Sequence, residues 1–101
     1  MRVLNRKAGG EAIGVNDSST DKWYLSKTNV PQETWFCYEW HVTASATTVY
    51  KDGQQLDVNG APGVKSPTTV ALGYQRWQTG TADGELWIDD VAVSDKQIGC
   101  K

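Results

Sequence analysis

The feature that most constrains the fold is the run TWFCYEWHVT at residues 34–43, the longest uninterrupted stretch of strand-forming residues. It contains no Gly and no Pro, and aromatic and β-branched residues dominate it, which favours a β-strand. Side chains alternate between the two faces of a strand. One face therefore carries Phe36, Tyr38, Trp40 and Val42, and the other carries Trp35, Cys37, Glu39 and His41. We expect the first set to face the core and the second to form a working surface.

Shorter strand-like runs separated by turn signals fill the rest of the chain, and helical spacing of apolar residues is not sustained anywhere. The expected strands are residues 2–5, 11–15, 22–27, 47–51, 54–58, 68–77 and 85–93, together with the central run. Asp52-Gly53 is a strong signal for a two-residue hairpin turn. Seven or eight strands without a helix predict an all-β sandwich or barrel.

The last of these strands has an irregular pattern. Leu86 and Ile88 share one face, whereas strict alternation places Val91 and Val93 on the other. If both pairs face the core, an extra residue at Asp89-Asp90 predicts a β-bulge that re-aims one carboxylate. Alternatively, the strand crosses from one packing environment to another.

Length and charge limit the function classes. With 101 residues, the chain is expected to form a single domain over residues 1–101, with 1–33 the least defined part. The net charge is −2 and no basic block occurs, which argues against nucleic acid as a partner. No apolar run is long enough to span a membrane. Residues 1–10 lack the apolar core of a signal peptide, so any export signal has been removed or the chain is a segment of a longer protein.

Two cysteines, Cys37 and Cys100, are either two reduced thiols or one disulfide. With a single His, they are too few for a structural zinc site. We favour the disulfide, which would stabilise by roughly 4 kcal/mol in the chain-entropy model and would indicate a secreted protein. Asn16-Asp17-Ser18 also matches the N-glycosylation pattern.

Four motifs between residues 35 and 100 carry a family resemblance: WFCYEWHV, VYKDGQQL, VALGYQRW and GELWIDDVAVSDKQIGC. Together they are similar to the C-terminal half of concanavalin A-like jelly-roll domains, in the glucanase, lectin and polysaccharide-lyase-like branch. The resemblance implies an antiparallel two-sheet jelly roll whose concave sheet binds polysaccharide. It also implies that the tail cysteine pairs with Cys37.

The same resemblance implies that the sandwich is truncated. Sandwiches of this type commonly run to about 200 residues or more, and half a sandwich leaves open edges and an uncovered apolar face. We therefore expect two copies to complete each other as a homodimer or other oligomer.

Alternation also predicts a ligand-binding groove. Val70, Leu72 and Tyr74 are expected in the core, as is Val49. The residues left on the opposite surface are Trp35, Glu39, His41, Tyr50, Gln75, Trp77 and Trp87. Aromatic rings stack on the apolar faces of sugars, while amides and carboxylates bond hydroxyl groups. Sugar binding is the favoured interpretation, and plain packing against a partner is the alternative.

Two enzymatic interpretations compete with binding. His41, Tyr50 and Gln75, with Arg76, supply the residue types a polysaccharide lyase needs to remove a proton next to a uronate carboxylate. A structural His41 bonded to Glu39 is the simpler alternative. Retaining glycoside hydrolysis is disfavoured, since no pair of acids has the expected spacing.

Asp89 and Asp90, with a loop carbonyl or Glu39, could ligate calcium, which prefers oxygen ligands. Paired acids at a strand bulge are more often solvated or bonded to backbone. The sequence thus predicts a secreted polysaccharide-recognition module, with a lyase or a structural assembly module as alternatives.

Overall fold

The computed structural model describes residues 2–7, 11–31, 33–72 and 87–100. These residues form six strands and no helix. The strands are β1 (Arg2–Lys7), β2 (Glu11–Asp17), β3 (Lys22–Asn29), β4 (Tyr38–Val42), β5 (Thr47–Lys51) and β6 (Gln54–Gln55). They make two antiparallel sheets, β1-β2-β3 and β4-β5-β6. The prediction of an all-β chain with two antiparallel sheets is confirmed.

The chain divides into two compact units. Unit 1 comprises Met1–Ser66 with Gly99–Lys101, and unit 2 comprises Pro67–Ile98. Both sheets belong to unit 1. The described residues of unit 2 form no strand and no helix.

The core of unit 1 draws on the central strand of each sheet. Ile13 and Val15 from β2 are 2% and 0% exposed, and Val49 from β5 is 0% exposed. Val58 and Ala61 complete this buried cluster, and Phe36 and Tyr38 are among the half-buried residues packed against it. The predicted inward direction of Phe36, Tyr38 and Val49 is confirmed, because the alternation that starts before β4 continues through the hairpin.

The central strand is shorter than predicted. Regular pairing begins at Tyr38, opposite Lys51, where β5 ends. Asp52 and Gly53 then turn the chain with φ of 50° and 82°, the left-handed pair that a type I′ hairpin requires. Residues 34–37 therefore precede the paired part of the strand. The return strand is also short and ends at Gln55 rather than Val58.

Two predicted strands are wrong where the structure describes them. Residues 68–72 and 87–93 are not in strands, and Val70, Leu72 and Ile88, expected in the core, are 54%, 55% and 46% exposed. Strand propensity largely measures packing against neighbours, and the described parts of both segments have no ladder partner. Residues 73–77 and 85–86 lie outside the described residues.

The predicted bulge at Asp89-Asp90 is also wrong, because residues 87–93 do not form a strand in which a bulge could occur. Asp90 instead adopts φ of 51°, and its N–H donates to Asp89 Oδ1 at 2.8 Å.

Asn16 is unavailable for glycosylation, contrary to what the pattern suggested. It is 0% exposed, and its Nδ2 donates to the carbonyl oxygen of Lys22 at 3.3 Å and to Asp21 Oδ1 at 3.4 Å. The nitrogen that would carry a sugar instead fixes the turn between β2 and β3. A buried amide needs such partners.

Candidate functional site

The site is built on the β4–β5 hairpin. Its register pairs Glu39 with Tyr50, Trp40 with Val49 and His41 with Thr48. Directly opposed residues project to the same face of an antiparallel pair. Because Val49 is buried in the core, Glu39, His41 and Tyr50 share the other face, which we call the outer face.

Three side chains converge on the outer face. Glu39 Oε2 lies 3.4 Å from His41 Nε2, and these side chains are 12% and 27% exposed. The ring centroids of His41 and Tyr50 are 4.6 Å apart, with the planes tilted by 47°. The His41 imidazole therefore lies between a carboxylate and a phenol ring, with Glu39 Oε1 and His41 Nε2 both buried. This face is less open than the working surface that alternation predicts.

The tail of the chain contacts the same face. Cys37 and Cys100 form a disulfide across 63 residues, which confirms the predicted bridge and is consistent with an exported protein. One residue before it, the Gly99 N–H donates to Glu39 Oε2 at 2.8 Å. The carboxylate oxygen that faces His41 is therefore also the one that holds the tail.

The start of β4 is clamped to the hairpin turn. The Cys37 N–H donates to Asp52 Oδ1, and the Asp52 N–H donates to the Cys37 carbonyl, both at 2.9 Å. Lys51 Nζ lies 2.8 Å from Asp52 Oδ2. The Lys51 ammonium, followed by the Cys37 N–H, lowers the pKa of the Asp52 carboxyl below its usual value. The clamp fixes the backbone from which the disulfide projects.

The core-facing side of β4 carries two unpartnered polar atoms. Tyr38 Oη and Trp40 Nε1 are buried and have no hydrogen-bond partner among the residues that the structure describes. Burial disfavours the charged phenolate and raises the pKa of Tyr38 well above its usual value of 10.0. Such groups carry a desolvation cost of about 1–3 kcal/mol each.

Tyr38→Phe is therefore expected to leave the free energy of unfolding unchanged or to raise it by about 1 kcal/mol. Because the folded-state pKa is raised, the stabilising effect of the neutral phenol is present below pH 10 and is lost as pH rises beyond it. Denaturant unfolding at pH 7 and above pH 10 measures both effects, and the Phe variant should lose less stability in alkali. Tyr24→Phe, at another half-buried tyrosine beside the core, is the matched control. A clear loss of stability at pH 7 in Tyr38→Phe alone would show that the hydroxyl has a partner.

The other residues predicted to bind the ligand do not lie on the β4–β5 hairpin. Trp35 precedes β4 in unit 1 and is 68% exposed, and Trp87 lies in unit 2 and is 74% exposed. Gln75, Arg76 and Trp77 lie outside the described residues. Of the predicted set, the structure brings together Glu39, His41 and Tyr50.

No metal centre is evident in the described part of the chain, where no three His, Cys, Asp or Glu side chains gather as potential ligands. Asp89 and Asp90 are both exposed. The calcium hypothesis therefore has no third acidic ligand among these residues.

Sequence reasoning missed two contributors to the site, Gly99 and Asp52. Asp52 was recognised only as a turn residue, although an Asx side chain commonly bonds nearby backbone groups. The position of Gly99 depends on the disulfide, so its contact with Glu39 could have been anticipated only from the pairing of the cysteines.

Comparison with known proteins gives no match to any family model, curated protein or solved structure. Among the described residues, none forms a helix long and apolar enough to cross a membrane. The likeness to concanavalin A-like domains remains a prediction from the sequence.

Proposed function

We propose that this protein is an exported polysaccharide-recognition module that binds sugar on the outer face of the β4–β5 hairpin. The observation that carries the proposal is the convergence of Glu39, His41 and Tyr50 on one side of two paired strands. The concanavalin A-like resemblance, with its jelly-roll architecture and completion by a second copy, is part of the same proposal.

Each of these side chains has a role in sugar recognition. The Glu39 carboxylate accepts hydrogen bonds from sugar hydroxyls, and the His41 imidazole can donate or accept. The Tyr50 ring offers an apolar face with a polar tip. Fixed polar groups of this kind beside aromatic surface are typical of small-ligand sites.

Trp35 supplies the stacking surface in this proposal. A tryptophan that remains 68% exposed leaves a large apolar ring in water, and an exposed ring can be covered by the apolar face of a sugar. Trp87, in unit 2, and Trp77 and Gln75, outside the described residues, are further candidates from the sequence.

Trp35→Ala is expected to weaken retention on insoluble polysaccharides by about tenfold, which corresponds to about 1.4 kcal/mol. Binding isotherms on a panel of neutral and uronic-acid polymers measure this effect. Val93→Ala removes another exposed apolar side chain, which is 76% exposed and belongs to unit 2, and should bind as the wild type does. Equal binding by Trp35→Ala, or equal losses in both variants, would contradict the proposal.

A lyase is the second candidate, and the 4.6 Å separation of the His41 and Tyr50 rings favours it. An imidazole and a phenol this close provide the base and acid that β-elimination requires. Unsaturated-product absorbance on uronic-acid polymers, abolished in both His41→Gln and Tyr50→Phe, would assign catalysis. Binding without absorbance would leave recognition alone.

A further inference from the structure

The last residues of unit 1 run along the outer face of β4. Cys100 is bonded to Cys37, and the Gly99 N–H bonds Glu39. Cys37 and Glu39 are two residues apart, so their side chains project to the same side of an extended chain. Residues 99–100, which we call the strap, are thus fixed at two successive positions of this face.

The strap is hydrogen-bonded to a carboxylate oxygen of the proposed sugar site. Glu39 Oε2 accepts from Gly99 at 2.8 Å and also lies 3.4 Å from His41 Nε2. The Nε2 atom is buried even though the His41 side chain is 27% exposed. With the strap in place, the carboxylate oxygen nearest His41 is already engaged by a backbone donor.

The strap is not part of the buried core among the described residues of unit 1. The buried apolar cluster there is formed by Ile13, Val15, Val49, Val58 and Ala61, all between residues 13 and 61. The 32 residues of unit 2 separate the strap from Ser66 along the chain. Without the bridge, a hydrogen bond to the carboxylate would have to offset the entropy of closing this intervening loop.

We propose that the strap is released by reduction of the Cys37–Cys100 bond, which uncovers Glu39 and His41 while unit 1 stays folded. The reductant is a dithiol. One of its thiolates attacks a bridging sulfur and forms a mixed disulfide, and its second thiol then displaces the protein sulfur. Cys37 and Cys100 become thiols by taking up two electrons and two protons, and the dithiol becomes a disulfide.

Amide hydrogen exchange with and without dithiothreitol tests the release. On reduction, protection of the Gly99 amide should fall at least about tenfold, since a hydrogen bond to a charged group is lost. The Leu56 amide, which donates to the Val49 carbonyl at 2.8 Å, should keep its protection. The Cys37→Ser/Cys100→Ser variant should match the reduced protein without reductant. Acylation of His41 by diethylpyrocarbonate should be faster in both.

Two results would contradict the proposal that reduction releases the strap. One is unchanged Gly99 protection in a sample whose two thiols titrate as free. The other is joint loss of protection at the Gly99 and Leu56 amides, which would make the bridge a part of the fold rather than a releasable tether. Neither readout uses a polysaccharide, so this test is independent of the function proposed above. Only the consequence, tighter sugar binding after reduction, rests on that function.

Discussion

Gly63→Ala is expected to destabilise unit 1 by about 3 kcal/mol, at the upper end of the range for overpacking. A Cβ at residue 63 would lie 2.5 Å from the backbone nitrogens of Ser45 and Ala46. Backbone in the turn between β4 and β5 cannot rotate away as a side chain can. The adjacent Val64 N–H donates to the Thr43 carbonyl at 2.9 Å, so the shift would break contacts of the same turn.

Denaturant unfolding of Gly63→Ala measures the effect, with Gly53→Ala as the matched control. Residue 53 has φ of 82° and open space around a new methyl group, so its cost is that of the left-handed backbone alone, about 1–2 kcal/mol. Because the turn near Gly63 sets the β4–β5 register, Gly63→Ala should also disturb the His41–Tyr50 contact. Equal midpoints for Gly63→Ala and the wild type would show that the turn does not pack as described.

Ile13→Ala is expected to cost about 2–5 kcal/mol, the range for removing a buried branched side chain. Ile13 is 2% exposed and lies in the cluster shared by β2 and β5. Small domains have total stabilities of about 5–15 kcal/mol. Losing this side chain should therefore remove a large part of the stability of unit 1.

Two substitutions calibrate the Ile13 result. Ile13→Val should cost about 0.5–1.5 kcal/mol, and Val93→Ala, at a position 76% exposed, should stay within about 0.5 kcal/mol of the wild type. If Ile13→Ala and Val93→Ala had the same effect, the core would not lie between the two sheets.

The hairpin shows what sequence can predict. Alternation alone gives the inward direction of Tyr38 and Val49 and places Glu39 and His41 on the opposite face of the hairpin, because a period of two follows from strand geometry. The Asp52-Gly53 turn is equally local, since few residue pairs accept two left-handed conformations. These features depend on neighbours in sequence, and the structure confirms them.

Residues 68–72 and 87–93 show where such reasoning fails. Their Val, Leu and Ile residues have strand propensity, but a strand forms only with a partner. The contact of Gly99 with Glu39 is equally unpredictable from local sequence, because the two residues are 60 positions apart. Pairing across such distances is decided by tertiary structure rather than by local pattern.

An NMR titration of the protein with soluble oligosaccharides tests directly whether the outer face of the β4–β5 hairpin binds sugar. We expect the His41 ring signals and the Glu39 and Tyr50 amide signals to shift together and to saturate at one affinity, which Trp35→Ala reduces. Binding that shifts only signals of residues 67–98, or no binding by any neutral or uronic-acid oligosaccharide, would contradict it.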